Sequence, residues 1–301
     1  NILLENSMCN TKNMNHEKLS IVFFGSNHLS VACLDKLLID ERFEVLAVVS
    51  QTDKPAGRGH KLTPTPVSQY ALDKSIELFR CDRPSRDEEL FQELQVLKPD
   101  YFVVVAYGAI LPQRYLDIPR QLSINVHGSI LPAYRGASPI QTAILDQAKI
   151  TWVTIMQMSL GMDEWDILSI QEINIDETET TGSLFEKFAI VSPDLLTETM
   201  VEYHRGKIER IPQDHSRASY TRKFTKEDAQ WNREKTMNEN LAIMRANTPG
   251  AMLWWEIDGK RYKFTKLEKT NEINEEWVLW CSDGGLRIIE AIDEKGKKIQ
   301  R

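Results

Sequence analysis

Asn125 and His127 are the first residues whose types and spacing could do chemistry. They lie at the end of an apolar run, residues 122–126, that is typical of a buried strand. Side chains two positions apart in a strand point to one face, so an amide and an imidazole would converge there. That pair suits acyl-type transfer, in which the amide stabilises an oxyanion and the imidazole moves a proton. The alternative is a buried Asn and His whose polar groups bond to backbone.

A carboxylate partner for the histidine is expected in the stretch at residues 161–166. Asp163 could orient the imidazole and favour its charged form, and Asp166 is a rival for that role. A turn-capping aspartate is the simpler interpretation of either residue. The sequence has no GxSxG motif and no cysteine near a histidine, so direct attack by a substrate amine is favoured over a covalent enzyme intermediate. The four cysteines form no CxxC pair, and no metal site is predicted.

Strands alternate with helices through the first two thirds of the chain. This order predicts an α/β fold with a mostly parallel, Rossmann-like sheet whose carboxyl ends carry the ligand site. The predicted strands are residues 19–24, 43–50, 76–79, 101–106, 122–126, 153–158 and 167–175. The predicted helices are residues 29–39, 67–74, 88–97, 140–145 and 183–203.

The last third of the chain has a different pattern of predicted elements. A helix at residues 237–245 precedes four short strands, at residues 251–257, 262–267, 277–281 and 286–289, which predict a small OB-like β-barrel. We therefore expect a disordered leader over residues 1–18, a catalytic domain over 19–205, a linker over 206–221 and the barrel over 222–301. Asp258-Gly259 and Asp283-Gly284 are typical of hairpin turns.

The charge of the chain is divided unevenly. The 301 residues carry a net charge of −7, but residues 1–204 sum to −11 and residues 205–301 to +4. An acidic chain argues against tight nonspecific binding of nucleic acid, whereas the basic half leaves room for a local anion-binding face. No apolar run is long enough for a membrane helix and the first residues do not resemble a signal peptide, so a cytoplasmic location is expected.

The run HGSILPAYRGASPIQ, residues 127–141, resembles the signature of formyltransferases that use 10-formyltetrahydrofolate. Four further stretches strengthen the resemblance: DKPAGRG at 53–59, VVVAYG at 103–108, VTIMQM at 153–158 and KEDA at 226–229. The first and third of them narrow it to the branch that formylates methionyl-tRNA. The resemblance extends from Leu19 to the end of the chain.

The resemblance implies roles for individual residues. Asn125, His127 and Asp163 would be catalytic. The co-substrate 10-formyltetrahydrofolate would be bound by Ser129, Ile130, Leu131 and Pro132 and by the backbone of Ile110 and Leu111. Initiator methionyl-tRNA would be contacted by Lys54, Arg58 and Lys61, with the barrel resting on the tRNA backbone. The resemblance also implies a monomer that needs no metal and no membrane, located in the cytoplasm or, in a eukaryote, in an organelle.

The chain departs from the family pattern at several points. Trp165 follows Asp163 where the family has Asp-Thr-Gly-Asp, and Trp152 replaces a glycine before Val-Thr. Ordinary drift explains both; the alternative is that UGA codons for glycine were read as tryptophan. The first-turn motif is also altered, and the chain ends where the family continues, so a shortened barrel is expected. Three other functions stay open: a sugar-nucleotide N-formyltransferase, a formyltetrahydrofolate hydrolase, and an inactive paralogue that binds tRNA or folate.

Overall fold

The computed structural model describes residues 18–56, 61–272 and 277–300. The predicted leader lies almost wholly outside this part of the chain. The strands are β1 Leu19–Gly25, β2 Phe43–Ser50, β3 Lys54–Ala56, β4 Lys61–Thr63, β5 Leu78–Arg80, β6 Tyr101–Val105, β7 Leu122–His127, β8 Arg135–Gly136, β9 Ile150–Gln157, β10 Ile167–Asn174, β11 Tyr220–Thr221, β12 Leu253–Ile257, β13 Lys260–Thr270, β14 Val278–Cys281, β15 Gly284–Asp293 and β16 Lys298–Gln300. The helices are α1 His28–Ile39, α2 Pro66–Asp73, α3 Glu88–Leu97, α4 Gln113–Leu116, α5 Pro139–Leu145, α6 Thr181–His204 and α7 Met237–Ala246.

Seven strands form the central sheet, in the order β10-β9-β7-β6-β1-β2-β5. The five strands from β7 to β5 are parallel to their neighbours, which confirms the mostly parallel sheet predicted from the sequence. β9 and β10 are antiparallel. A parallel pair needs a crossover connection of about a dozen residues or more. The turn between β9 and β10 is shorter than that, so these two strands form a hairpin. The antiparallel pairing of β9 with β7 is not explained in this way, because the connection between them is long enough for a crossover.

Each face of the sheet has its own hydrophobic core. Ile21 and Phe23 of β1 point to one face, where they pack with α1, α2, α5 and α6, whereas Val22 and Phe24 point to the other, where α3 and α4 lie. All of β1 is buried. A central strand covered on both sides reads as a continuous apolar run, which is why this strand was predictable.

The structure differs from the sequence prediction mainly in short elements. The strand expected at residues 76–79 lies instead at Leu78–Arg80. α4, β8, β11 and β16 were not predicted, and neither was the small β3–β4 hairpin within the loop at residues 51–66. Elements of two to four residues span too few positions to show a periodicity, so pattern alone does not reveal them.

The C-terminal region forms a second, antiparallel sheet packed with α7. Its strands follow the order β12-β13-β15-β14, with β16 also on β15, around a core that includes Phe264 and Leu286. The predicted turn at Asp258-Gly259 joins β12 to β13, and both residues have positive φ, of 51° and 72°. No pairing between the strands that the structure describes closes this sheet into the expected barrel.

The segment at residues 206–221, predicted to be a linker, lies against the first domain. Ile211 exchanges two backbone hydrogen bonds with Ile167, at the start of β10. Further on, β11 pairs in parallel with β8, so that Tyr220 lies opposite Arg135 and Thr221 opposite Gly136. The segment therefore packs against the part of the chain that follows β7.

We expect Gly136→Ala to destabilise the protein strongly, because the glycine is needed for space as well as for conformation. Gly136 has a φ of +105°, and an added Cβ would lie 2.4 Å from the carbonyl oxygen of Thr221. Strain and overpacking together should lower the free energy of unfolding by roughly 3 kcal/mol or more. Urea denaturation measures this loss.

Gly206→Ala is the matched control, since Gly206 also has a positive φ, of +68°, but has open space around it. That change should cost only about 1–2 kcal/mol, the penalty of the left-handed conformation. Equal losses for the two variants would show that the contact between β8 and β11 is not the constraint.

Candidate active site

A cavity of about 540 Å³ lies at the carboxyl ends of β6 and β7. Asn125, His127 and Asp163 all line it. Asn125 and His127 share a face of β7, as their spacing predicted, while Asp163 reaches the cavity from the turn between β9 and β10. The structure thus brings together the three residues that sequence reasoning placed in one site.

The imidazole of His127 is buried, and a polar group lies near each of its nitrogens. Its Nε2 lies 3.1 Å from the carbonyl oxygen of Tyr134, and its Nδ1 lies 3.7 Å from Oδ2 of Asp163. A carbonyl oxygen only accepts hydrogen bonds, so Nε2 carries a hydrogen. Nδ1 is then the nitrogen that faces the carboxylate of Asp163.

Asp163 is held in an uncommon conformation. Its φ is +53°, in the left-handed region that aspartate tolerates better than most side chains. Its Oδ2 accepts a hydrogen bond of 2.8 Å from the backbone N–H of Gly136. Asp166, the rival carboxylate, lines a different cavity beside Tyr203 and His204. The geometry therefore favours Asp163 as the partner of His127.

Asn125 is half-buried at the cavity wall. Within the described part of the chain, its side-chain amide makes no hydrogen bond. An amide at a cavity wall without an internal partner is available to a ligand, because its two N–H groups can donate to an oxygen placed there.

The remaining walls of the cavity are largely apolar. Ile110, Met158 and Phe185 contribute side chains, and so does Tyr107, whose hydroxyl donates to the carbonyl oxygen of Cys81 at 2.5 Å. Burial raises the pKa of Tyr107 far above its usual range, so this phenol stays neutral. An apolar pocket with a few convergent polar groups is the usual form of a small-molecule site. A larger cleft, of about 1230 Å³, has no histidine among its lining residues.

The residues expected to bind folate are placed unequally. Ile110 is exposed and lines the cavity, whereas Leu111 is buried in the core beneath it. Residues 129–132 do not line the cavity. The hydroxyl of Ser129 donates at 2.7 Å to the carbonyl oxygen of Ala133, which shapes the turn after β7. Their contact with folate stays a prediction.

The residues expected to contact tRNA lie on the β3–β4 hairpin and its loop. Lys61 and Lys54 are exposed, and the Nζ of Lys54 donates at 2.9 Å to Oε1 of Gln51. Arg58 lies outside the described residues. Gln51 in turn donates at 3.2 Å to the carbonyl oxygen of Gly108, so the hairpin is tied to one wall of the cavity.

The two tryptophans that replace expected glycines cause no backbone strain. Trp152 lies within β9 opposite Glu172, and Trp165 is 42% exposed in the turn that carries Asp163. Neither has a positive φ. The conformation that would have required glycine at these positions is therefore absent from this chain.

Sequence reasoning missed two residues that support the site. Arg135 is fully buried, and Gln213 lies between it and the Asp163 turn. Arg135 belongs to the run that carries the resemblance, but nothing in a single sequence shows that its charge is buried. Gln213 stands in a polar, turn-rich segment and carries no signal at all.

Two further kinds of feature are absent from the described residues. None of the helices in that part of the chain is long and apolar enough to cross a membrane. Nor do its His, Cys, Asp and Glu side chains form a group of three or more that could hold a metal ion.

Comparison with known proteins shows the family of this chain. The formyl transferase family matches residues 18–200. A methionyl-tRNA formyltransferase of Hydrogenobaculum sp. is 42% identical over 93% of this chain and 94% of its own length.

Two solved structures share the fold, although neither exceeds 20% identity with this chain. HypX from Aquifex aeolicus in complex with tetrahydrofolic acid has a TM-score of 0.66 over 93% of this chain and 45% of its own, at 16% identity. An N-formyltransferase from Helicobacter canadensis in complex with folinic acid and dTDP-3-aminofucose has a TM-score of 0.66 over 90% of this chain and 98% of its own, at 20% identity. The matched region holds the whole cavity and most of the chain, and on that ground the protein belongs to the formyl transferase family.

Proposed function

We propose that this protein transfers a formyl group from 10-formyltetrahydrofolate to the α-amine of methionyl initiator tRNA. The observation that carries the proposal is the convergence of Asn125, His127 and Asp163 on one cavity in a chain of this family. The name of the 42% identical relative supports the choice of acceptor.

The cavity suits the folate co-substrate. Its volume of about 540 Å³ falls within the usual range for small-molecule sites, and its walls are mainly apolar, as a flat pterin ring requires. Ile110 is exposed at the edge of the cavity, and its backbone would offer polar groups to the heteroatoms of such a ring. The co-substrate supplies the formyl carbon at N10.

The reaction follows from the three polar side chains. The neutral amine attacks the formyl carbon, a C–N bond forms, and the carbonyl oxygen becomes an oxyanion. The free N–H groups of Asn125 would donate to that oxyanion, and the positive charge of protonated His127 would stabilise it. The bond to the folate nitrogen then breaks, and the proton lost by the amine passes to that nitrogen. Asp163 would hold the imidazole in place and balance its charge while this occurs.

The acceptor side of the proposal uses the basic parts of the chain. Lys54 and Lys61 would enter the acceptor stem with Arg58, and the C-terminal sheet, in the half with a net charge of +4, would contact phosphates. The link from Lys54 through Gln51 to Gly108 supports this role, because it ties the hairpin to a wall of the proposed folate cavity, where the aminoacyl end would arrive.

The test is formyl transfer from 10-formyltetrahydrofolate, measured in parallel with charged initiator methionyl-tRNA, uncharged tRNA, a nucleotide-linked amino sugar and no acceptor. Turnover on the charged tRNA alone is the expected result. Turnover on the amino sugar would support the sugar-nucleotide function instead, and release of formate without an acceptor would support a hydrolase. Binding of tRNA without turnover would identify an inactive paralogue.

Asn125→Ala should lower kcat by roughly 10²–10³-fold with little change in KM, because the lost amide donates only to the developing oxyanion. Steady-state kinetics with saturating folate measures the effect. A kcat equal to that of the wild type would refute this role for Asn125.

Asp163→Asn should lower kcat by roughly 10²–10⁴-fold, since the imidazolium of His127 loses its counter-charge. Asp166→Asn, in the same turn but outside the cavity, is the control and should stay close to the wild-type rate. The reverse order of the two effects would assign the catalytic carboxylate to Asp166.

A further inference from the structure

Arg135 carries a fully buried positive charge whose strongest partner is a neutral amide. Its Nε and Nη2 donate to Oε1 of Gln213 at 3.1 and 2.7 Å, and its Nη1 donates to the hydroxyl of Tyr220 at 3.2 Å. The Nδ1 of His215 lies 3.4–3.5 Å from the guanidinium, and the nearest carboxylate, that of Glu164, is 3.8 Å away. A buried charge requires such partners, so this group is fixed in place.

The orientation of the Gln213 amide follows from its neighbours. A guanidinium only donates hydrogen bonds, so the oxygen of the amide faces Arg135. Its Nε2 then faces the turn and donates to two backbone carbonyl oxygens, those of Asp163 at 2.9 Å and Trp165 at 2.6 Å. The positive charge on the oxygen side polarises the amide and strengthens its N–H donors.

These contacts clamp the residue that faces His127. Asp163 has a left-handed backbone, and Gln213 donates to its carbonyl oxygen and to that of Trp165, so the turn is bridged directly after its strained residue. Gly136, next to Arg135 in β8, fixes the carboxylate itself through its N–H. Backbone and side chain of Asp163 are therefore both anchored to β8, one of them through Gln213.

We propose that Gln213 is a positioning residue that holds Asp163 beside His127. The role rests on the proposed function, since it acts through the catalytic carboxylate, but the clamp itself does not depend on any substrate. Through Gln213, the segment that joins the two domains would contribute to the active site. Gln213 is only 7% exposed, which fits an internal clamp.

The first test uses Gln213→Glu, which keeps an oxygen partner for the buried charge of Arg135 but removes the two donors to the turn. We expect kcat to fall roughly 10- to 100-fold with little change in KM, comparable to the cost of a 1 Å misplacement. Gln213→Met lacks both the oxygen that faces Arg135 and the N–H donors to the turn, so its kcat should fall at least as far. Gln171→Glu, an identical change at an exposed position of β10, should retain the wild-type rate.

The second test asks whether the effect passes through Asp163. In an Asp163→Asn background, Gln213→Glu should cost less than about a further twofold, because residues that act as a unit are not additive. If Gln213 had only a structural role, Gln213→Glu would lower kcat by the same factor in the wild-type and in the Asp163→Asn background. Full additivity, or an unchanged kcat for Gln213→Glu alone, would overturn the proposal.

The third test needs no activity. Hydrogen exchange of the peptide that spans residues 159–166 should be faster in Gln213→Glu than in the wild type and unchanged in Gln171→Glu. If the wild type fails to transfer formyl groups but exchange rises as expected, the proposed function is wrong and the clamp stands. Exchange equal to that of the wild type would overturn the clamp whatever the activity.

Discussion

The distance of 3.7 Å between Nδ1 of His127 and Oδ2 of Asp163 is the constraint on which the rest of the site depends. The two atoms belong to a strand and to a turn that starts some 30 residues further along the chain. Asp163 has a left-handed backbone in that turn. An isolated turn would not keep that conformation, because it costs about 1–3 kcal/mol. The hydrogen bonds from Gly136 and Gln213 offset this cost and fix the carboxylate where the imidazole needs it.

The fold supplies this arrangement with little specialised structure. Parallel strands end at one edge of the sheet, so a polar pair at the end of β7 opens onto a cavity there. The antiparallel β9–β10 hairpin brings its turn back to the same edge, and β11 closes the arrangement from behind by pairing with β8. The end of β7, the β9–β10 turn, β8 and β11 thus support one site. Support of this kind is what holds functional side chains to within about 0.5 Å of a productive geometry.

Sequence reasoning succeeded where the signal is local. The buried strands, the amphipathic helices, the shared face of Asn125 and His127 and the Asp258-Gly259 turn all follow from short-range patterns. It did not reveal Gln213, because its role comes from contacts 48 and 50 residues away. Nor did it reveal that the left-handed residue of the turn is Asp163 and not Trp165, which stands where the family has glycine. Burial of Arg135, like the pairing of β8 with β11, exists only in three dimensions.

The most direct test of the account is ¹⁵N NMR of His127, with its signals assigned by comparison with His127→Gln. The structure predicts that the imidazole carries its hydrogen on Nε2, which faces the Tyr134 carbonyl, and that Nδ1 faces the carboxylate of Asp163. In Asp163→Asn, the ¹⁵N signal of Nδ1 should move, because the charged group beside it is gone. A neutral imidazole with its hydrogen on Nδ1, or an Nδ1 signal that Asp163→Asn leaves unchanged, would contradict the central role given to this pair.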